Sequence, residues 1–298
     1  MAHTAAHRTR VIVTRPADEA GDWVQQLAQA GFAAEALPLI GIQPAIQPGD
    51  RAALAQAHGE LARYSACLFV SGNAVRHFFK DFRPFDQSGR AQAAPEKIAT
   101  AALLPTTLRL LAPGPGTAAA LRALGVPAGQ IDEPAADAGQ FDSQALWQQI
   151  GSRDWAGQRV LVVRGRTERE ADSDMDRAAA GGPAAPGRDW IARQWQAAGV
   201  PVDFLCVYER VRPGLSAAQI ARVEAASADG SIWLFSSSEA LANLSQSTST
   251  DFGRARAIAT HPRIAEAASA AGWGVVMQSR PALDDLIAQL RSIESAHP

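Results

Sequence analysis

Short apolar runs of four to seven residues recur along the chain, separated by longer stretches in which apolar positions return every three or four residues. That alternation is the signature of βα units and a mostly parallel sheet. It predicts strands at 10–14, 34–37, 66–70, 109–112, 159–163, 203–207, 232–236, 256–259 and 274–277. After the first strand, Asp18 to Ala30 places Trp23, Leu27 and several alanines on one helical face, and Gly31 supplies the stop. Thr117 to Leu124 repeats the device with Gly125 behind it. Segments 81–97 and 127–142, rich in Pro, Gly and Asp, are expected as loops.

The pattern is then repeated. Arg10-Val11-Ile12-Val13-Thr14-Arg15-Pro16 returns as Arg159-Val160-Leu161-Val162-Val163-Arg164-Gly165, and Phe69-Val70-Ser71-Gly72-Asn73-Ala74-Val75 as Phe235-Ser236-Ser237-Ser238-Glu239-Ala240-Leu241. Gly114-Pro115-Gly116-Thr117 returns more faintly as His261-Pro262-Arg263-Ile264, and Ser143-Gln144-Ala145-Leu146 as Asp284-Asp285-Leu286. A repeat of about half the chain is domain-sized, far longer than the ~20–50 residues of a solenoid unit. Two similar domains facing one another imply a cleft. The symmetry breaks at 164–190, where the second copy carries about nineteen extra residues including Asp172, Asp174 and Asp176. The aspartates lack the glycine and terminal glutamate of a calcium loop, so 166–187 is expected as a flexible insertion.

Composition narrows the class. With 298 residues, 47% hydrophobic and 19% charged, the chain has ample apolar material for about two packed domains. A net charge of −2 without an arginine- or lysine-dense run leaves little to neutralise a nucleic-acid backbone. The first ten residues contain no apolar signal region, and no window approaches the roughly 18 apolar residues of a membrane span. A cytoplasmic protein is expected. Cys67 and Cys206 sit in apolar runs as small hydrophobes, and the six scattered histidines show no metal-binding spacing.

Chemistry in parallel α/β sheets gathers at the carboxyl ends of strands, where helix N-termini favour anions. Four turns fit. They are Thr14-Arg15-Pro16 with its partner Arg164-Gly165, Ser71-Gly72-Asn73 with its partner Ser237-Ser238-Glu239, Gly114-Pro115-Gly116-Thr117 with its partner His261-Pro262-Arg263, and Tyr208-Glu209-Arg210. Each also has a purely structural role open to it. Ser71, Thr117 and Ser237 fit helix caps, Arg15 and Arg164 fit surface charges, and Tyr208 fits core packing. Dinucleotide, P-loop and serine-hydrolase motifs are absent, which leaves a cofactor-free reaction or a binding function.

Val13-Thr14-Arg15-Pro16, Leu37-Pro38-Leu39-Ile40, Phe69-Val70-Ser71-Gly72-Asn73-Ala74-Val75, Gly114-Pro115-Gly116-Thr117-Ala118, Val162-Val163-Arg164-Gly165 and Val207-Tyr208-Glu209-Arg210 follow one another over nearly the whole chain. In that order they resemble uroporphyrinogen-III synthase. The resemblance implies two flavodoxin-like α/β domains from an internal duplication, joined by a two-stranded linker at 37–42 and 204–210. One domain would comprise 1–36 with 211–298 and the other 43–203, with the first copy's opening unit built into the second copy's domain. A hinge and closure over a ligand would follow.

The activity implied is cyclisation of the linear tetrapyrrole hydroxymethylbilane, with inversion of its last ring and loss of water, without cofactor or metal. Tyr208 matches the family's proposed donor to the leaving hydroxyl. The implied substrate-binding set is Thr14, Arg15, Ser71, Gly72, Asn73, Gly116, Thr117, Arg164, Gly165, Ser237, Ser238 and Arg263. Two motifs depart from the pattern. Thr260-His261-Pro262-Arg263 replaces the second glycine–threonine turn, and Gly187-Arg188-Asp189-Trp190 follows the insertion. The family implies a monomer, with transient hand-over of substrate from hydroxymethylbilane synthase. A catalytically silent two-lobed binding or scaffold protein is the alternative.

Overall fold

The structure is a computed structural model that describes residues 9–80, 82, 104–167 and 190–296. The expected insertion at 166–187 therefore falls outside the described residues from 168 onward, as do most of the expected loop 81–97 and the Gly187-Arg188-Asp189 run. The chain divides into two compact units, Met1–Gly41 with Val211–Pro298, and Ile42–Arg210.

The first unit is built on a five-stranded parallel sheet. Its strands are β1 (Arg10–Val13), β2 (Ala33–Ala36), β9 (Ile232–Phe235), β10 (Arg256–Ala259) and β11 (Val275–Gln278), in the order β11-β10-β9-β1-β2. Helix α1 (Ala17–Gln29) crosses from β1 to β2, and α7 (Ala217–Ala226), α8 (Ser238–Ser247), α9 (Pro262–Ala270) and α10 (Leu283–Ala296) follow in the second stretch of chain. Strand alternation divides the core. Val11, Val13, Ile232, Leu234 and Ile258 pack with Leu27, Leu286 and Leu290, while Trp233 and Phe235 meet Phe252 and Trp273 in an aromatic cluster.

The second unit carries a six-stranded sheet in the order β3-β8-β7-β4-β5-β6. Its strands are β3 (Gly41–Pro44), β4 (Ala66–Phe69), β5 (Arg109–Leu111), β6 (Ile131–Asp132), β7 (Val160–Thr167) and β8 (Val202–Val211), and its helices α2 (Pro48–Gly59), α3 (Gly72–Phe79), α4 (Pro115–Ala123), α5 (Ser143–Ile150) and α6 (Trp190–Ala197). One face packs Cys67, Phe69, Leu110, Leu161 and Val163 against Val75, Phe78, Ala118 and Leu121. The other packs Ala66, Leu68, Val160 and Val162 against Leu146, Ile150, Ile191 and Trp195. Helices on both faces explain why the strands read as continuous apolar runs.

Matching β1, β2, β9, β10 and β11 with β7, β8, β4, β5 and β6 gives the two sheets one strand order, the doubly wound order of flavodoxin-like folds. The duplication is thus a duplication of topology. In the first unit the first two strands of the pattern come from a separate stretch of chain, and in the second they follow the last three within one continuous stretch.

Four expectations are corrected. The strand expected at 159–163 runs to Thr167, so Arg164 and Gly165 lie inside β7 and not in a turn beyond it. The strand expected at 203–207 continues to Val211, which puts Tyr208 within β8. Both extend because pairing continues from Gly165↔Tyr208 to Thr167↔Arg210, and because buried Arg166 is held by ion pairs to Asp50 and Glu209, each at 2.6 Å. The connecting strand expected at 37–42 is instead β3, at Gly41–Pro44. Leu37 and Leu39 donate to the Val13 and Thr14 carbonyls, and the Leu39 carbonyl accepts from Asn243 Nδ2, which holds this stretch to the first unit. The loop expected at 127–142 contains the two-residue β6.

Candidate functional site

In the second unit the carboxyl end of β4 delivers the chain into α3 through Ser71. Its backbone is extended, and its Oγ accepts a hydrogen bond from the Ala74 N–H at 3.1 Å. That cap answers one of the orphan donors of the helix and stabilises it by about 1 kcal/mol. The same Oγ lies 3.0 Å from the Tyr208 hydroxyl. Ser71 is therefore both a cap and a partner of the residue singled out for catalysis.

Tyr208 reaches Ser71 because β8 carries an irregularity. Val160 to Arg164 pair with Val202 to Cys206 in strict register, and the next pair is Gly165 with Tyr208, so Val207 is the extra residue of a β-bulge. Alternation alone would send Tyr208 to the face of Val202 and Cys206. After the bulge, Val207 and Tyr208 both join the Leu161, Val163 and Phe78 side of the sheet. Tyr208 is 3% exposed, and His77 stacks on its ring with centroids 5.7 Å apart. Across the sheet Gly165 leaves a slot, since a Cβ there would stand 2.3 Å from Tyr208 Cζ.

The neighbouring turn packs beside this pair. Gly114 caps α4 through its backbone, with Pro115 in the first turn and Thr117 buried behind it. Gly72 approaches this helix closely, its notional Cβ lying 3.5 Å from the Gly116 carbonyl. Asn73 is buried and accepts from Arg76 Nη2 at 2.8 Å. Arg164 is not part of the cluster. It alternates to the opposite sheet face, where its guanidinium lies 5.1 Å from the Phe204 ring centre.

In the first unit the equivalent turns are present with different bonding. The Thr14 hydroxyl donates to the Leu234 carbonyl at 2.6 Å and is buried. Arg15 Nε donates to Glu19 at 2.9 Å while the guanidinium covers the Trp23 ring at 4.4 Å. Ser237 caps α8 by accepting from the Glu239 N–H at 3.2 Å, with Ser238 as the first helical residue. At the replaced glycine–threonine turn, His261 Nδ1 accepts from the Arg263 N–H at 3.1 Å, and the Arg263 side chain is exposed. Histidine has taken over the cap.

The family model described as uroporphyrinogen-III synthase HemD matches residues 21–171 and 182–288. The chain belongs to the uroporphyrinogen-III synthase family. Family membership assigns it to tetrapyrrole biosynthesis, with a small-molecule tetrapyrrole as substrate. The fold is similar to that of a mutant uroporphyrinogen III synthase from the extreme thermophile Thermus thermophilus, at 15% identity and a TM-score of 0.50, over 96% of this chain and 99% of that one. It is also similar to uroporphyrinogen-III synthetase from Helicobacter pylori, at 12% identity and a TM-score of 0.52, again over 96% and 99% of the two chains. Among the described residues no helix is long and apolar enough to cross a membrane.

Two features of the site had no signal in the sequence. His77 lies about one and a half turns along α3 from Ser71, and only the bulged strand brings Tyr208 against it. The trio of Asp50, Arg166 and Glu209 draws on α2, β7 and β8, which are remote in sequence. Burial opposes the Arg166 charge, but its hydrogen bonds to Glu209 and Asp50 outweigh that and raise its pKa above the usual guanidinium range.

Proposed function

We propose that this protein acts as a lyase that needs no cofactor or metal. It would close hydroxymethylbilane to uroporphyrinogen III with inversion of the last ring. The observation that carries the mechanism is the 3.0 Å contact between Tyr208 and the capping hydroxyl of Ser71. Ser71 Oγ accepts from the helix, which leaves its own hydrogen to donate to the Tyr208 oxygen. The phenol hydrogen is then directed to the substrate's terminal hydroxyl. Proton donation there breaks the carbon–oxygen bond and releases water, leaving a cation conjugated with the first pyrrole. The substituted carbon of the last ring attacks that cation to give a spiro intermediate. The intermediate reopens and closes on the other carbon, and loss of the ring proton restores the pyrrole.

Positioning supplies the rest of the catalysis, since the linear tetrapyrrole closes without inversion when left in water. The polycarboxylate side chains are received at helix N-termini and basic turns: Gly72 and Asn73 on α3, Gly116 and Thr117 on α4, Ser237 and Ser238 on α8, and Arg15 and Arg263. The protein works as a cytoplasmic monomer and takes its unstable substrate directly from hydroxymethylbilane synthase. The deciding experiment supplies freshly generated hydroxymethylbilane, oxidises the products and separates the porphyrin isomers. Predominantly type III product is expected; only type I at the uncatalysed rate overturns the proposal and leaves a silent binding or scaffold protein.

A further inference from the structure

Resting on the reading of Tyr208 as the proton donor, we propose that Gly165 is the positioning residue that seats it. The relationship is geometric and independent of the substrate. Gly165 is buried inside β7, directly opposite Tyr208 across the bulge. A Cβ at 165 would lie 2.3 Å, 2.4 Å and 2.6 Å from Cζ, Cε2 and Cε1 of Tyr208. The phenol ring thus lies on the glycine backbone, where no side chain fits. The clash falls on the hydroxyl end of the ring, so relief requires that end to move. Because His77 stacks on the ring and the ladder to β7 holds its backbone, the hydroxyl would be carried away from Ser71.

Nothing in the local backbone otherwise demands glycine here. No positive φ is found at position 165, so alanine would suit the strand conformation if Tyr208 were smaller. Gly165 therefore acts through Tyr208 and not through a turn. Conformational freedom of the glycine plays no part, whereas the slot it opens sets where the proton is delivered. A displacement of about 1 Å at a catalytic group is enough to cost on the order of a hundredfold in rate.

The test compares Gly165→Ala, Tyr208→Phe, Tyr208→Ala and the pair Gly165→Ala with Tyr208→Ala, each assayed for kcat, KM and the type III to type I product ratio. A spectroscopic readout accompanies them. The chain has two tyrosines, so Tyr64→Phe protein grown with fluorotyrosine reports Tyr208 as a single fluorine resonance. Gly165→Ala is expected to lower kcat by the same factor as Tyr208→Phe, roughly tenfold to a hundredfold, with a smaller effect on KM. It should also shift the Tyr208 resonance. In the Tyr208→Ala background the glycine substitution should cost nothing further in rate or thermal midpoint, because the slot is already empty. If Gly165→Ala alone fails to fold, recovery of folding in that pair supports the same clash. The inference is overturned if Tyr208→Phe loses turnover while Gly165→Ala retains it with the resonance unmoved, or if the losses in the Tyr208→Ala background simply add. Full turnover in Tyr208→Phe has a different meaning, since it removes the tyrosine from the mechanism and this inference with it.

Discussion

The Thr14 hydroxyl donates to the carbonyl of Leu234 at 2.6 Å across 220 positions of sequence, at the carboxyl ends of β1 and β9. A residue expected to meet ligand thus holds together two strands from opposite ends of the chain. Thr14→Val keeps the shape and removes the donor, leaving a buried carbonyl without that bond, at a cost of about 1–3 kcal/mol. The expected outcome is a lower urea midpoint with an unchanged KM for the linear tetrapyrrole. A raised KM at unchanged stability would return Thr14 to the ligand.

Arg15 is held by Glu19, four residues on, and lies over Trp23. Glu19 therefore offsets part of the field that an incoming carboxylate would feel. Glu19→Gln should lower KM for the polycarboxylate substrate and steepen its dependence on ionic strength. Arg15→Ala should raise KM, and Arg15→Lys should recover little because the flat guanidinium both stacks and donates from several nitrogens. Steady-state kinetics over a salt series read both signs.

At the amino end of the second unit's sheet, the Tyr64 hydroxyl donates to Asp203 at 2.8 Å, and Arg159 grips the same carboxylate. Burial and the bond to Asp203 push the Tyr64 phenol from 10.0 to about 12. An acid raised in the folded state contributes stability below its unfolded pKa and loses it as pH rises through the folded value. The stability from this phenol is therefore complete at neutral pH and fades from pH 10.0 to about 12. Burial alone would raise Asp203, but Arg159 and Tyr64 outweigh it and hold it low, so its contribution is lost only on strong acidification. Urea unfolding from about pH 9 to 12 should show the alkaline loss in the native chain and a flatter profile in Tyr64→Phe.

Gly274 approaches Gly253 so closely that a Cβ would stand 2.1 Å from the Gly253 carbonyl oxygen. The Gly274 N–H donates to the Phe252 carbonyl, and the adjoining Trp273 stacks on the Phe252 ring at 4.6 Å. Gly274→Ala must push these backbone segments apart and disturb that aromatic cluster, at a cost of about 1–3 kcal/mol. The thermal midpoint should fall with near-ultraviolet circular dichroism altered, and kcat should be unchanged.

Much of the local structure was legible because it depends on neighbours along the chain. Ser71 and Ser237 read as helix caps and are caps, and Gly31 and Gly125 read as stops and adopt φ of 104° and 81°. The apolar runs of β1, β4, β9 and β10 fall within a residue of their expected bounds. The errors cluster where a partner strand decides the outcome. Arg164-Gly165 has the composition of a turn, yet β8 pairs with it and draws it into the sheet. Pro38 interrupts the apolar run 37–42, and hydrogen bonds to β1 and α8 hold its first half with the first unit.

By itself the sequence determined the alternation of strands and helices, the duplication, and the capping and glycine turns at the strand ends, because periodicity, hydroxyl caps and glycine act over a few residues. It also carried the family resemblance in six short motifs. Strand order, the exchange of β1 and β2 into a sheet completed by β9 to β11, and the face on which Tyr208 lies were decided only in the tertiary structure. The reason is that side-chain direction in a strand has a period of two, so one extra residue at Val207 reverses it. The seat of Tyr208 on Gly165 and Ser71 exists only once β4, β7 and β8 lie side by side.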